Sequence, residues 1–408
     1  MRFLATAALA LLAAPAFAEC PADATGSVRL LSNDFPALNA VAARMMECAR
    51  DGLEVTANQT TAHMELQGPA LQADPAEYTV KIVANGSFSP LASEGLIRPL
   101  DDLVAQYGQG LRPNQLIRVD GQIMAIAFMA NAESFFWRQD VLDQAGVEPP
   151  ATWADVVAAA EAIRAAGIME NPYGQAYAPG WELGQAFVNM YLGLGGEFFE
   201  EGTANPSIAN ETGVAALEMM KGLVGVMGPD YLTWSSDALP PLMESDEAAM
   251  TFFWGSEASQ VLPGTTIAPT VADQVRVAAA PAAVAGGPPA TTVWWDGFVL
   301  AKNISDEDAA ASFRVMMHAL DPQLVADNPT LAVWLIEGYE PTPAAAGVIG
   351  AVEGGAPSYP MVPYMGLLHM AIDGNIADFL QGNESAEQAL ADAEAAYVTS
   401  ATEAGFLQ

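Results

Sequence analysis

Segments with the pattern of β-strands alternate with segments of helical pattern from the start of the chain, and this alternation restricts the possible folds more than any other feature. Residues 28–31, Val-Arg-Leu-Leu, have the pattern of a first strand, and residues 37–48 follow as an amphipathic helix. The strand pattern returns at 53–56 and 78–83, with a helical stretch at 66–72 between them. Strands that alternate with helices form largely parallel sheets covered by helices. The sequence therefore predicts an α/β fold.

The length and the N-terminus indicate a two-lobed, exported protein. A chain of 408 residues is too long for one ordinary hydrophobic core and suits two lobes. Arg2, an apolar run at 3–14 and the small-x-small sequence at 16–18 are typical of an export signal cleaved after Ala18. We therefore expect residues 1–18 to be a signal peptide and the mature protein to be periplasmic.

The chain has two cysteines, Cys20 and Cys48, both close to the expected mature N-terminus. Two cysteines in an exported protein usually pair. We expect a structural disulfide that ties the first strand to the first helix.

The charge balance excludes two classes of partner. The chain has 49 acidic and 14 basic residues, a formal net charge of −35. Such a surface repels nucleic acid and anionic membranes. The acidic residues are spread along the chain, so their surplus alone does not indicate a cationic ligand.

The stretch 291–303 contains two adjacent tryptophans, Trp294 and Trp295, followed by Asp296 and an apolar run at 298–301. Neighbouring side chains of an extended segment point to opposite faces. One indole can therefore pack into the protein while the other, with or without Asp296, faces a cavity. Two core tryptophans beside a turn would give the same sequence, so both interpretations stay open here.

Polar side chains also follow the third predicted strand, where Asn85 and Ser87 offer neutral hydrogen-bond donors and acceptors. Ligands of open parallel sheets collect at the carboxyl ends of the strands. An ordinary Asn-Gly turn is the alternative interpretation.

Several motifs together resemble one family, the extracellular solute-binding proteins of ABC importers (family 1), which contains maltose-binding and other sugar- and polyol-binding proteins. The likeness covers nearly the whole mature chain. The matching segments are Ser-Glu-Gly-Leu-Ile-Arg-Pro-Leu-Asp at 93–101, Val-Asp-Gly at 119–121, Trp-Arg-Gln-Asp at 137–140, Pro-Ala-Thr-Trp at 150–153, Ala-Ala-Met-Thr at 248–251 and Ser-Ala-Glu-Gln-Ala-Leu at 385–390.

The resemblance implies a two-lobed periplasmic binding protein fold of type II-like topology. Each lobe would be a mostly parallel sheet flanked by helices, with the ligand cleft between the lobes. The N-terminal lobe would comprise 19–128 and 296–338, and the C-terminal lobe 129–295 and 339–408. The stretch 291–303 would then lie at the cleft, which favours a cavity-facing position for Trp295 and Asp296.

The resemblance also implies ligand contacts in the second lobe. Relatives carry a stacking aromatic near Trp181 and, in some sugar-binding members, a cleft tryptophan near His369. Relatives usually have glycine and then tryptophan where this chain has Trp254 before Gly255. Core packing is the alternative for each aromatic. The complete set of candidates is Asn85, Ser87, Asn131, Trp181, Glu182, Trp254, Trp295, Asp296 and His369.

These observations predict a periplasmic receptor that captures a carbohydrate or polyol and delivers it to the transmembrane subunits of an ABC permease. We expect a monomer without cofactor, metal or catalytic activity. A receptor for a cationic solute such as a betaine or polyamine would use the indoles and a carboxylate. An exported glycoside hydrolase would use two carboxylates. The sequence has no phosphate-binding loop, nucleophile elbow or zinc-binding helix motif.

Overall fold

The computed structural model describes residues 20–263 and 268–408. The expected signal peptide, residues 1–18, lies outside the described residues. Within the two described ranges, no helix combines the length and the apolar character needed to cross a membrane.

The strands form two separate sheets. The strands are β1 Gly26–Ser32, β2 Leu53–Gln59, β3 Val80–Ala84, β4 Leu116–Val119, β5 Gln122–Asn131, β6 Glu133–Arg138, β7 Tyr173–Gln175, β8 Met250–Trp254, β9 Val275–Ala279, β10 Trp294–Leu300 and β11 Val333–Trp334. The first sheet has the order β11-β5-β10-β3-β1-β2, with β4 also paired to β5. The second has the order β7-β8-β6-β9.

Helices cover both sheets. They are α1 Pro36–Met46, α2 His63–Gln72, α3 Asn85–Ser93, α4 Asp101–Tyr107, α5 Gln139–Ala145, α6 Trp153–Ala165, α7 Glu182–Gly193, α8 Glu211–Val224, α9 Leu239–Glu244, α10 Pro269–Ala272, α11 Asp306–Ala319, α12 Pro322–Asp327, α13 Ala346–Glu353, α14 Met365–Asn375, α15 Ala377–Gln381 and α16 Ala386–Glu403. Side-chain caps explain where several begin, since Thr152, Ser305 and Ser385 each accept a backbone N–H three residues on.

The α/β fold class is confirmed, but the expectation of mostly parallel sheets is wrong. Parallel pairing joins β1 to β2 and β3, and β7 to β8. The other strand pairs in the described part of the chain are antiparallel. The reason is connectivity. The chain leaves the first sheet along β5 and returns along β10, so these two neighbours run in opposite directions.

The chain crosses between the sheets three times. The first crossing is a single residue, Ala132, between β5 and β6. The second lies between β9 and β10, and the third follows β11 and leads to α13, which packs on β6 and β9. The expected lobe limits at 128 and 296 fall inside β5 and β10.

Each sheet has its own hydrophobic core. In the first lobe, Val41 of α1 and Phe313 of α11 pack with Phe298 of β10. In the second, Phe135 of β6 packs edge-on to Trp153 of α6 at 6.3 Å between ring centroids. Two separate cores joined by three crossings are the architecture of proteins that close by hinge motion.

The expected disulfide between Cys20 and Cys48 is present. It links the start of the described chain to the residues after α1. Closing a loop across the sequence separation of 28 residues stabilises the fold by about 3 kcal/mol in the chain-entropy description.

Candidate functional site

Four aromatic rings meet where β10 enters the first sheet. Trp294, the first residue of β10, is buried, and its ring centroid lies 4.2 Å from that of Tyr359. Trp181 and Trp254 are half-buried and approach Trp294 edge-on at 6.2 and 5.8 Å. We call Trp181, Trp254, Trp294 and Tyr359 the aromatic wall. One buried tryptophan thus supports two partly exposed ones, which is how a protein presents an aromatic surface without losing its packing.

Trp181 is held from behind by His369. The two rings stack with centroids 3.7 Å apart and planes 17° from parallel. His369 is fully buried, with Nε2 2.9 Å from the Trp181 carbonyl oxygen and Nδ1 3.1 Å from Tyr359 Oη. Burial lowers the pKa of His369 to about 4, so the ring is neutral at pH 7. The structure therefore gives His369 a supporting position behind the wall.

A carboxylate fixes the backbone on either side of Trp181. Asp373 of α14 accepts hydrogen bonds from the Gly180 N–H at 2.6 Å and the Gly184 N–H at 3.0 Å. Because both bonds join α14 to the start of α7, the orientation of the indole depends on the packing of these two helices.

The first lobe contributes the start of α3. A Cβ placed on Gly86 would lie 3.4 to 3.7 Å from atoms of the Tyr359, Trp294 and Trp181 rings. The first turn of α3 therefore faces the aromatic wall across the boundary between the lobes.

Of three predicted polar residues, Asn85 and Asn131 tie separate segments together near the crossings, and Ser87 caps a helix. Asn85 donates from Nδ2 to the Val293 carbonyl at 3.3 Å and accepts the Trp295 N–H at 2.9 Å. Asn131 accepts the Ser256 N–H and donates to Ser256 Oγ, both at 3.1 Å. The Ser87 hydroxyl accepts the Ala84 N–H at 2.9 Å and so caps α3. All three are buried in their lobes, and their contact with a ligand stays a prediction.

The two adjacent tryptophans do occupy opposite faces of β10. Trp294 packs in the aromatic wall, whereas half-buried Trp295 lies edge-on to Phe88 of the first lobe at 5.6 Å. The sequence favoured Trp295 as the tryptophan that faces the cavity. In the structure, Trp294 is the one that contacts Trp181. Ligand contact by Trp295 stays a prediction. Asp296 is buried, and burial raises its pKa to about 7 against the opposing charge of Lys81.

A group of carboxyls lies beside the wall, and we call Glu133, Glu182 and Glu257 the acidic pocket. Glu182 begins α7, and Gln185 and Asn189 follow on the same helical face. Asn189 Nδ2 donates to Glu133 Oε2 at the start of β6. Glu257 lies in the 3₁₀ turn after β8. Burial, and then the like charge of Glu182, raises the pKa of both Glu133 and Glu257 to about 8.

The acidic pocket has more acceptors than the protein satisfies. Gln185 Nε2 donates to Asn189 Oδ1 at 3.1 Å and to Thr292 Oγ1 at 2.9 Å. In contrast, Gln185 Oε1, Glu182 Oε2 and Glu257 Oε2 are buried and receive no hydrogen bond from the described residues. Buried polar atoms are usually paired with protein groups or water, so these three atoms are free to pair with a bound molecule.

The sequence prediction missed six residues of this region: Glu133, Gln185, Asn189, Glu257, Trp294 and Tyr359. One signal for two of them was available. Polar residues at 182, 185 and 189 share one face of a segment that is otherwise apolar, as at Phe187 and Val188. Such a polar face on a buried helix indicates an internal polar site.

The sequence is similar to solute-binding proteins of ABC transporters. The family model described as bacterial extracellular solute-binding protein matches residues 35–314. A probable ABC transporter-binding protein of Deinococcus radiodurans is 25% identical over 224 residues, which are 52% of this chain and 53% of that protein. An ABC transporter extracellular-binding protein of Pyrococcus horikoshii is 24% identical over 194 residues, 45% of this chain and 42% of that protein. The chain thus spans about half the length of these relatives.

Solved structures share the fold over nearly the whole chain. Maltose-bound MalE3 of T. maritima has a TM-score of 0.77 at 18% identity and covers 91% of this chain and 98% of its own. A solute-binding protein of Agrobacterium radiobacter in complex with ribitol has a TM-score of 0.76 at 16% identity, covering 91% and 98%. One of Agrobacterium vitis with bound D-mannitol has a TM-score of 0.75 at 17% identity, covering 93% and 99%.

The family match covers well over half of the sequence and agrees with the two-lobed architecture. The chain therefore belongs to the family of bacterial extracellular solute-binding proteins.

Proposed function

We propose that this protein is the periplasmic receptor of an ABC importer and that it carries a carbohydrate or polyol between its two lobes to the permease subunits. The observation that carries the proposal is the aromatic wall, where half-buried Trp181 and Trp254 lie beside carboxyl and amide oxygens. Indole faces pack against the C–H patches of a sugar, and carboxyl oxygens accept its hydroxyl protons. The structural neighbours that hold maltose, ribitol and D-mannitol support this solute class.

The residues divide by role in this proposal. Trp181, Trp254 and Glu182 contact the solute from the second lobe. His369 positions Trp181, Asn85 and Asn131 position the crossing strands, and Ser87 caps α3. Asp296 and Trp295 stay candidate solute contacts of the first lobe, with Trp295 on the face of β10 that packs on Phe88. The protein acts as a monomer and returns the solute unchanged.

The alternatives have less support. A betaine or polyamine receptor would share the fold, but the ligands named for the neighbouring structures are sugars and polyols. A glycoside hydrolase would convert its ligand, whereas the matched family consists of binding proteins.

A thermal-unfolding screen of the mature protein from Glu19 tests the proposal. A ligand at about 100 times its Kd adds about 2.7 kcal/mol to the free energy of unfolding, which raises Tm by a few degrees. We expect a shift with a sugar or polyol, and mass spectrometry should recover that compound unchanged. A shift with betaine or spermidine alone would favour the cationic alternative, and a hydrolysed ligand would favour the enzyme.

A further inference from the structure

We infer that the carried solute has a protonated primary amino group and that the acidic pocket binds this group. This rests on the proposed function and narrows it to amino-bearing carbohydrates and polyols.

The acidic pocket is surrounded by further acidic groups and by phenols. In the described part of the chain, no Lys or Arg forms an ion pair with Glu133, Glu182 or Glu257. The charged and titratable groups that act on the pocket from neighbouring elements are acids and phenols, namely Asp237, Asp373, Tyr173 and Tyr177. Several buried carboxyls without a cation disfavour one another's ionised forms, and a bound cation relieves this.

Three buried oxygens of this region have no hydrogen-bond donor among the described residues. These acceptors are Glu182 Oε2, Glu257 Oε2 and Gln185 Oε1. A primary ammonium supplies three N–H donors and has no acceptor, so it matches a set of this kind. A quaternary ammonium has no N–H and would leave the acceptors unpaired. The pocket therefore selects a primary amine over a betaine.

The acidic pocket lies directly beside the aromatic wall. Glu133 is paired directly with Trp254 across β6 and β8. An indole face next to a carboxyl stabilises an organic cation. The wall can hold the carbon frame of the solute while the pocket holds its amine.

Calorimetry with matched ligand pairs tests the inference. The pairs are D-glucosamine with D-glucose, and 1-amino-1-deoxysorbitol with sorbitol. We expect the amine of at least one pair to bind about tenfold tighter or more than its neutral partner, since hydrogen bonds to charged groups are the stronger ones. Glu257→Gln should bring this affinity ratio towards one. Glu218→Gln, an exposed position on α8, is the matched control and should leave the ratio unchanged.

Proton release gives a second readout. Burial and like charge raise the pKa of Glu133 and Glu257. Binding of 1-amino-1-deoxysorbitol, whose aliphatic amine is already protonated near pH 7.5, should therefore expel protons, measured as a difference in binding heat between phosphate and Tris buffers. Neutral sugars should show no such difference.

The ways in which the inference can fail are distinguishable. Neutral partners that bind as well as or better than the amines, in both pairs, would overturn the inference and leave the proposed function standing. An amine preference that Glu257→Gln does not reduce would also overturn it. Failure of every sugar, polyol and amino derivative to bind would overturn both proposals, as would binding of spermidine alone.

Discussion

At the scale of single residues, four buried acids determine how the stability of this protein depends on pH. Burial raises the pKa of Glu182 and Asp296 to about 7 and that of Glu133 and Glu257 to about 8, from ordinary values of 4.5 for glutamate and 3.8 for aspartate. Between the ordinary and the raised pKa values, these four groups hold more protons in the folded protein than in the unfolded chain. The stability that these protonated forms contribute is lost as the pH rises through 7 and 8.

We predict that the Tm of the ligand-free protein falls between about pH 6.5 and 8. Lys81, His63 and His369 oppose this trend, because burial lowers their pKa values. The two histidines have released most of their protons in both states above about pH 7, so the four acids outweigh Lys81 over this interval. Glu257→Gln should make the decline shallower, and the exposed control Glu218→Gln should not. A Tm that rises across this interval in the wild-type protein would contradict the account.

At the scale of elements, the contact between α7 and α14 positions the aromatic wall. Gly184 allows this contact, because a Cβ there would lie 2.7 Å from His369 Cδ2 and 2.9 Å from the His369 carbonyl oxygen. Gly222, inside α8, is exposed, and a Cβ added there would have no described atom outside its own helix turn within 4 Å. Glycine-to-alanine substitution should therefore have opposite effects on the free energy of unfolding in the neighbouring helices α7 and α8.

We predict that Gly184→Ala lowers the free energy of unfolding by about 1–3 kcal/mol, the usual cost of overpacking. Gly222→Ala should raise it by about 0.5–1 kcal/mol, since alanine favours the helix. Denaturant unfolding measures both. Equal effects of the two substitutions would show that the close packing at Gly184 is not a constraint.

The sequence predicted the elements better than it predicted their arrangement. The strands predicted at 28–31 and 53–56 and the helix predicted at 37–48 follow from local patterns, and the structure has β1, β2 and α1 there. The alternation of faces at Trp294 and Trp295 was also a local inference, but which indole meets Trp181 depends on how β10 enters the sheet. That direction is set by pairing with β3 and β5, which lie far away in sequence.

The acidic pocket shows the same limit. Glu133 and Glu257 are 124 residues apart (257 − 133), and they come together because β6 pairs with β8. Neither residue has a distinctive neighbour in the sequence of so acidic a chain. Only the helical spacing of Glu182, Gln185 and Asn189 was visible without the structure.

At the scale of the whole molecule, the two lobes and the net charge of −35 act together. A strongly negative protein raises the local concentration of cations and accelerates their association, an effect that weakens as salt increases. This field complements the amine-binding role that we infer for the acidic pocket. In the structure the start of α3 lies against the aromatic wall, so the first lobe borders the proposed solute site.

The central claim is that the aromatic wall binds a sugar or polyol, with or without an amino group. The most direct measurement is calorimetry of the tightest ligand from the screen against the wild-type protein, Trp181→Ala and Trp137→Ala. Trp137 is a matched control, a half-buried tryptophan at the opposite end of β6 from Glu133. We predict that Trp181→Ala weakens binding about tenfold or more, equivalent to at least about 1.4 kcal/mol, while Trp137→Ala retains wild-type affinity. Wild-type affinity in Trp181→Ala would contradict the account.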